Sequence, residues 1–326
     1  MSFHVTTLTA KSYAQLVREA CASLLMPYRV RQDERNRPSG AHLRHVGAIT
    51  DDGMLVGYAS ALGGPGTWLP GRFRVVVFVD EAWRGRGAGG ALYRGAERFA
   101  LGHGATALEA DVGEDDAGGL AFVERRGFVC ERHLFASVLD LASFDASRFQ
   151  EAVAAAEAAG IRFTSLAAYP QDDASLGRFA DLLWELHADV PGWATMPRLT
   201  LEQVRSSYVD RTTWDPEGVL LAVDSGRGDE WVALAHLTVD GSRSPEAQRE
   251  GGLWLYNVFT GVRRGYRGRG LAQAMKVRAA EYARGRGATA IRTHNVSTNA
   301  PMLAVNRKLG YRPQPGYFKM VKRLAA

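Results

Sequence analysis

Two stretches of arginine and glycine have the residue types to grip an anion. The first is Arg84-Gly85-Arg86-Gly87-Ala88-Gly89, and the second is Arg267-Gly268-Arg269-Gly270-Leu271-Ala272. Glycine lets the main chain approach a phosphate closely. A helix N-terminus adds N–H groups that lack intrahelical acceptors and the positive end of a dipole. Arginine side chains add charge-assisted hydrogen bonds. Near the second stretch in sequence stand groups able to hold or move protons: Tyr256, His294 and the asparagines Asn299 and Asn306. An ordinary imidazole titrates near about 6.5 and suits a base, whereas a phenol, near about 10, is a poor direct base and suits polarising a water or relaying a proton. Asparagine has no proton to give away but donates hydrogen bonds. Strand alternation turns only one of His294 and Asn295 toward a given face.

These groups need a strand, a turn and a helix to position them, and the chain supplies that unit twice. Leu253 to Phe259 reads as a strand, runs through Thr260-Gly261-Val262 into the second stretch, and is followed by a helical run from Leu271 to Arg284. Arg72 to Val79 and Gly87 to Leu101 do the same around the first. Arg84 and Arg267 are 183 positions apart, and Gly102–Ala107 with Gly285–Ala290, and Gly127-Phe128 with Gly310-Tyr311, keep that offset. Three landmarks in register without a gap indicate a tandem duplication of roughly 160 residues per copy, the size of one domain.

The remaining pattern is that of a mixed α/β sheet in each copy. The first copy offers a strand at Phe3–Leu8 and a helix over Ser12–Leu25. A hairpin follows over residues 47–58, turning at Asp51-Asp52-Gly53, and then a strand at Thr106–Val112, a helix at Leu120–Arg126 and a strand at Phe135–Leu141. Phe144 to Ala159 reads as a linker helix, with capping-box spacing at Ser147 and Gln150 and a stop at Gly160. The second copy repeats the order, with helices at Ala174–Ala188, Leu201–Val209 and Pro301–Leu309 and strands at Ile161–Leu166, Gly218–Val223, Trp231–Val239, Thr289–Asn295 and Phe318–Arg323. The expected division is a first domain over residues 1–141, a linker over 142–160 and a second domain over 161–326.

Bulk properties narrow the function classes. At 326 residues, 46% hydrophobic and 23% charged, the chain is a globular protein of two domains. Cys21 and Cys130 cannot make a disulfide framework or a closed metal site, which fits a reducing cytoplasm; no metal is expected. The N-terminus lacks a signal-peptide pattern, and apolar runs such as Val75–Val79 are too short to span a bilayer. The net charge of +5 is uneven: residues 1–141 carry 16 basic and 16 acidic side chains, so the whole surplus lies beyond them. That favours an anionic ligand in the second half.

With these residues in hand, the sequence resembles the GNAT acyltransferases, which move an acyl group from coenzyme A to an amine. Their signature, Arg/Gln-x-x-Gly-x-Gly/Ala between the fourth strand and the following helix, is matched by Arg84, Gly87 and Gly89 and by Arg267, Gly270 and Ala272. A further family mark, an Asn early in a late helix that ends in Gly-aromatic, is supplied by Asn299 and Gly310-Tyr311. The resemblance spans nearly the whole chain. It implies two tandem domains of this fold with acetyl-CoA as cofactor. The pyrophosphate would lie on Arg267, Gly268, Arg269, Gly270, Leu271 and Ala272, and the pantetheine arm beside Thr260 and Val262. Val79, Arg84, Gly85, Arg86, Gly87 and Gly89 are the equivalent positions of the first copy. Gly261, inside a strand, predicts a bulge or a close backbone approach, and the resemblance implies that a bulge there splays two strands apart.

The family's usual catalytic groups are missing. A base carboxylate is expected where Tyr256 and Phe73 stand, and an acid tyrosine where Asn306 and Val123 stand. Tyr256, Asn306 and His294 are therefore the catalytic candidates. Phe73, Asp116 and Val123 make the first copy the structural or degenerate one. Glu185 and Asp189, one helical turn apart, are candidates to receive a cationic amine. The implied activity is acetyl-CoA-dependent N-acetyl transfer to a small amine, with direct attack. The missing acid and base keep open a non-catalytic acyl-CoA-binding module. A nucleic-acid partner fits poorly, because RNA-binding Arg/Gly segments are long and disordered, and no membrane partner is expected. Nothing in the sequence fixes the acceptor, the acyl length or the oligomeric state.

Overall fold

Alternating β-branched and aromatic residues draw the chain into strands at both ends of each copy, and the computed structural model follows that pattern closely. It describes residues 2–8, 37–67, 69–191, 197–210, 214–241 and 251–324. The helix expected over Ser12–Leu25, together with Cys21, lies outside the described residues. The chain separates into two compact units, one of residues 1–131 with 318–326 and one of residues 132–317.

In the first unit β1 (Phe3–Leu8), β2 (His42–Thr50), β3 (Leu55–Gly63) and β4 (Arg72–Val79) form an antiparallel run. The turn at Asp51-Asp52-Gly53 forms as expected: Gly53 takes φ +88°, and the Thr50 hydroxyl accepts from the Met54 N–H at 2.9 Å. Helix α1 (Ala88–Gly102) buries Leu92, Ala96 and Ala100, spaced one turn apart, and packs on β2, β3 and β4. β5 (Ala107–Gly113) is parallel to β4, and α2 (Ala117–Glu124) follows with Asp116 as its N-cap, accepting from Gly119 N–H at 2.8 Å.

The rest of the chain runs β6 (Val129–Asp140), α3 (Gln150–Ala158), β7 (Ile161–Ser165), α4 (Asp173–His187) and α5 (Leu201–Val204), which continues as a π turn over Arg205–Val209. Then come β8 (Val219–Asp224), β9 (Glu230–Val239), β10 (Leu253–Val262), α6 (Leu271–Gly285), β11 (Ala288–Val296), α7 (Ala300–Leu309) and β12 (Arg312–Arg323). Strand order is β1-β2-β3-β4-β5-β12 in the first unit and β6-β11-β10-β9-β8-β7 in the second. Each sheet is mixed, with its parallel pair (β4–β5 or β10–β11) at the point where the glycine stretch leaves the sheet.

Two features differ from the sequence expectation. Leu134–Asp140 of β6 pairs antiparallel with β11 and belongs to the second unit, whereas Phe318–Arg323 of β12 belongs to the first. Alternation shows that a segment joins a sheet; it does not say which of two equivalent sheets. The segment read as a linker is a packed part of the second unit. Phe149, Val153 and Ala156 enter its core beside α6, and Arg278 of α6 reaches Glu157 at 2.7 Å. Asp145 caps this segment, accepting from Ser147 N–H at 3.0 Å, so the expected Ser147–Gln150 box is not used. Among the described residues no helix is long and apolar enough to cross a membrane.

Candidate functional site

The second glycine stretch is shaped as an anion cradle. Gly268 and Gly270 have φ of +75° and +76°, a region costly to other residues, and Gly270 is the N-cap of α6. A glycine cap has no side chain to satisfy the first helical N–H groups, so α6 starts without a side-chain cap. Arg267 braces the turn. Its Nε donates to the Val262 carbonyl at 2.9 Å, and its guanidinium pairs with Asp189. Arg269 stands over the Tyr266 ring, 5.7 Å from the centroid.

Beside the cradle, two strands part. β10 and β11 are paired only from Leu253 to the rung Tyr256–Arg292, while β10 continues against β9 as far as Val262. The register of β10 on β9 slips between Asn257 and Phe259, which makes Val258 the extra residue of a bulge. The bulge therefore precedes Gly261. That glycine serves the close approach instead: a Cβ there would lie 2.7 Å from the Phe259 ring and 3.0 Å from Leu186 of α4.

Tyr256 and His294 meet at the parting. The Tyr256 hydroxyl lies 3.0 Å from His294 Nδ1, and the Arg292 guanidinium lies 3.4 Å from Nε2. Burial, with a smaller contribution from Tyr317, pushes the Tyr256 phenol up to about 12. Alternation turns Asn295 the other way. Its amide donates to Ser137 Oγ at 2.9 Å, and its Oδ1 accepts from Asn306 Nδ2 at 2.7 Å. Asn306 is thus buried with Asn295, not gathered with Tyr256 and His294. Asn299 caps α7, its Oδ1 accepting from Met302 N–H at 3.4 Å. Glu185 and Asp189 do not stand free for an amine: Glu185 pairs with Arg263 at 3.0 Å, and Asp189 with Arg264 and Arg267. The Thr260 hydroxyl is also engaged inward, donating to Asn257 Oδ1 at 2.9 Å.

The profile of the Acetyltransferase (GNAT) family matches residues 13–128 and 183–311, once in each copy. The chain belongs to the GNAT acetyltransferase family. Its fold is similar to that of several solved structures. One is a glucosamine N-acetyltransferase region of a fungal multi-domain β-N-acetylglucosaminidase, at a TM-score of 0.74 and 16% identity over 98% of this chain. This chain spans 38% of the length of that fungal protein. A GCN5-related N-acetyltransferase from Sphaerobacter thermophilus matches at 0.68 and 19% identity, over 99% of this chain and 97% of its own. A tandem GNAT protein from the clavulanic acid biosynthesis pathway matches at 0.67 and 20%, over 100% and 99%. No match is found among curated proteins.

Both GNAT cradles are built alike. In the first, Gly85 and Gly87 take φ of +75° and +88°, Gly87 caps α1, and Arg84 Nε donates to the Val79 carbonyl at 3.2 Å. Arg86 stacks on Trp83 at 5.0 Å. The surroundings differ. Phe73, which occupies the place of Tyr256, is fully buried in the core; Val123 is buried as well; and Phe122 lies 3.1 Å from where a Cβ of Gly89 would be.

Sequence reasoning missed one cluster altogether. Lys276, on the inner face of α6 and 2% exposed, donates from Nζ to Asn257 Oδ1 at 2.9 Å and lies 4.8 Å over the Tyr311 ring. Burial pushes its ammonium down to about 7. Asn257 Nδ2 donates to the carbonyls of His236 and Phe259, and the Thr293 hydroxyl donates to the Asn257 carbonyl at 2.9 Å. A legible signal existed. Lys276 interrupts the small apolar stripe Ala272, Ala279, Ala280 and Ala283 at helical spacing.

Proposed function

We propose that the second unit binds acetyl-CoA and transfers its acetyl group to the amine of a small molecule by direct attack, without a covalent enzyme intermediate. The observation that carries this reading is the Tyr256–His294 pair at the parting of β10 and β11, on the strand that leads into the glycine cradle. The residues fit the cofactor. Two left-handed glycines and a helix capped without a side chain suit a diphosphate, and the length of β10 beyond Tyr256, unpaired with β11, suits the amides of a pantetheine arm. In this reading Gly268 to Ala272 hold the pyrophosphate, and Thr260 and Val262 meet the arm through their main chain. Arg267 acts chiefly by bracing the turn.

Bound acetyl-CoA supplies an activated thioester and a thiolate leaving group. The protein's part is to place donors where charge develops. A guanidinium can only donate, so the Arg292 contact assigns the lone pair to His294 Nε2 and the proton to Nδ1. Nδ1–H then donates to the Tyr256 oxygen, which leaves the phenol's own proton to face the reacting centre. With its phenol pushed up to about 12, Tyr256 keeps its proton and hydrogen-bonds the departing sulfur, while the proton that the amine nitrogen loses as the amide forms is the one that ends on the thiol. His294 holds Tyr256 in place, and the acceptor attacks as the free amine. Asn306, buried against Asn295, supports β11 from behind.

The test is incubation of the protein with acetyl-CoA and a panel of primary amines while free thiol is followed. Thiol release above background with at least one amine is the expected result. Acetyl-CoA binding with no thiol release for any amine would instead favour a non-catalytic acyl-CoA-binding module.

A further inference from the structure

The three buried polar residues Asn257, Lys276 and Thr293, with the half-buried Thr260, are more than a satisfied core cluster, because of where their bonds fall. Asn257 is the last residue before the bulge at Val258 and the first of β10 beyond its final rung with β11. Its carbonyl would be the next group to pair across to β11, and the Thr293 hydroxyl occupies it at 2.9 Å. Its side-chain amide spans the bulge, donating to Phe259 O at 2.8 Å on the far side and to His236 O at 3.1 Å on β9. Lys276 and Thr260 both donate to its Oδ1, each at 2.9 Å, which fixes the orientation of that amide. Every hydrogen-bonding site of the Asn257 side chain is used, in a place where an unmet group would be costly.

The first copy provides an internal comparison. At the same offset, Arg74, Tyr93, Val77 and Ala110 replace Asn257, Lys276, Thr260 and Thr293. There β4 runs against β3 from Arg74 to Val79 without a register shift. Tyr93 turns its hydroxyl to Glu97 at 2.7 Å, joined there by Lys322 at 2.7 Å. The copy that lacks the four residues lacks the bulge and keeps one more rung, Arg74–Glu109, before β4 leaves β5.

We infer that Lys276, Thr260 and Thr293 are positioning residues that act through Asn257: they hold the bulge and take the place of the last rung that the first copy makes at Arg74–Glu109, so that the acyl-carrying arm of coenzyme A meets the main chain of β10 in the bulged register. The inference rests on the reading of the second unit as the coenzyme A site. Lys276→Met keeps the length and apolar stem of the side chain and removes the Nζ donor. Thr293→Val is isosteric and removes the hydroxyl at the apex; Thr293→Ser restores it.

Calorimetric titration with coenzyme A, alongside acetyl-CoA kinetics and thermal melts, tests the idea. Both K276M and T293V should fold and weaken coenzyme A binding by about five- to tenfold, the size expected for one lost hydrogen bond. KM for acetyl-CoA should rise in step, kcat should stay within about twofold, and T293S should bind like the wild type. Folded K276M and T293V that bind coenzyme A as tightly as the wild type would overturn the positioning role alone. A wild-type protein that shows no binding would overturn the site assignment and this inference with it.

Discussion

A phenol that keeps its proton at neutral pH can be replaced by a benzene ring with little change in shape, so Tyr256→Phe isolates the donor. The expected result is a fall in kcat of about 10²-fold with acetyl-CoA affinity preserved, read from steady-state kinetics beside direct binding. A kcat within twofold of the wild type would remove Tyr256 from the chemistry. The His294 tautomer leads to a second expectation. If the amine attacks as the free base, the pH–rate profiles of two acceptors whose pKa values differ by about two units should be displaced by that difference. A common inflection for both amines would show that the enzyme supplies the base. Asn306 illustrates a limit of sequence reading at this scale. Its position in the helix suggests proximity to the thioester, but only the register of β11 shows that Asn295 meets it and His294 turns away.

At the scale of elements, the strand-to-turn-to-helix units were legible because each rests on local chemistry: glycines where φ is positive, alternation in β10, an apolar stripe in α6. The bulge was harder to place. Gly261 advertises it, yet the extra residue is Val258, whose side chain gives no local signal; the network on Asn257 that holds it joins residues on two other elements. Gly261 has a different task, namely to let α4 approach β10. An added methyl would press on the Phe259 ring and Leu186, so Gly261→Ala should cost about 1–3 kcal/mol of stability, measured by urea denaturation. A midpoint unchanged from the wild type would mean that the contact relaxes freely.

For the whole molecule, the duplication was readable from three landmarks at one offset, whereas the membership of the last strands was not, since equivalent strands carry equivalent patterns. The buried titratable groups set an alkaline limit. Burial raises the phenols of Tyr208, Tyr256 and Tyr311 above the ordinary value of 10.0. The unfolded chain therefore loses these protons first as pH rises. Their contribution to stability is complete below about pH 10 and is lost as pH climbs through the higher folded-state values. Lys276 has the opposite sign, because its folded value is lowered to about 7. Its contribution is complete above the unfolded value near 10.5 and is lost as pH falls toward 7, so K276M should gain stability relative to wild type between pH 10 and pH 7. Denaturant midpoints for the two proteins at both pH values check this; a constant difference would contradict it.

Two cradles of the same build are proposed to have unequal roles, and one comparison tests that directly. Gly87 and Gly270 share a left-handed φ and have room for a side chain, with nothing within 4 Å of a Cβ at Gly87 and only Ala152, at 3.7 Å, near one at Gly270. Valine at either position should therefore impose a similar backbone strain of about 1–2 kcal/mol. The measurement is acetyl-CoA turnover by folded Gly270→Val and Gly87→Val proteins. Turnover should fall by about a hundredfold or more for Gly270→Val and stay within about twofold of wild type for Gly87→Val. Equal loss in both, or loss confined to Gly87→Val, would contradict the assignment of the second unit as the catalytic one.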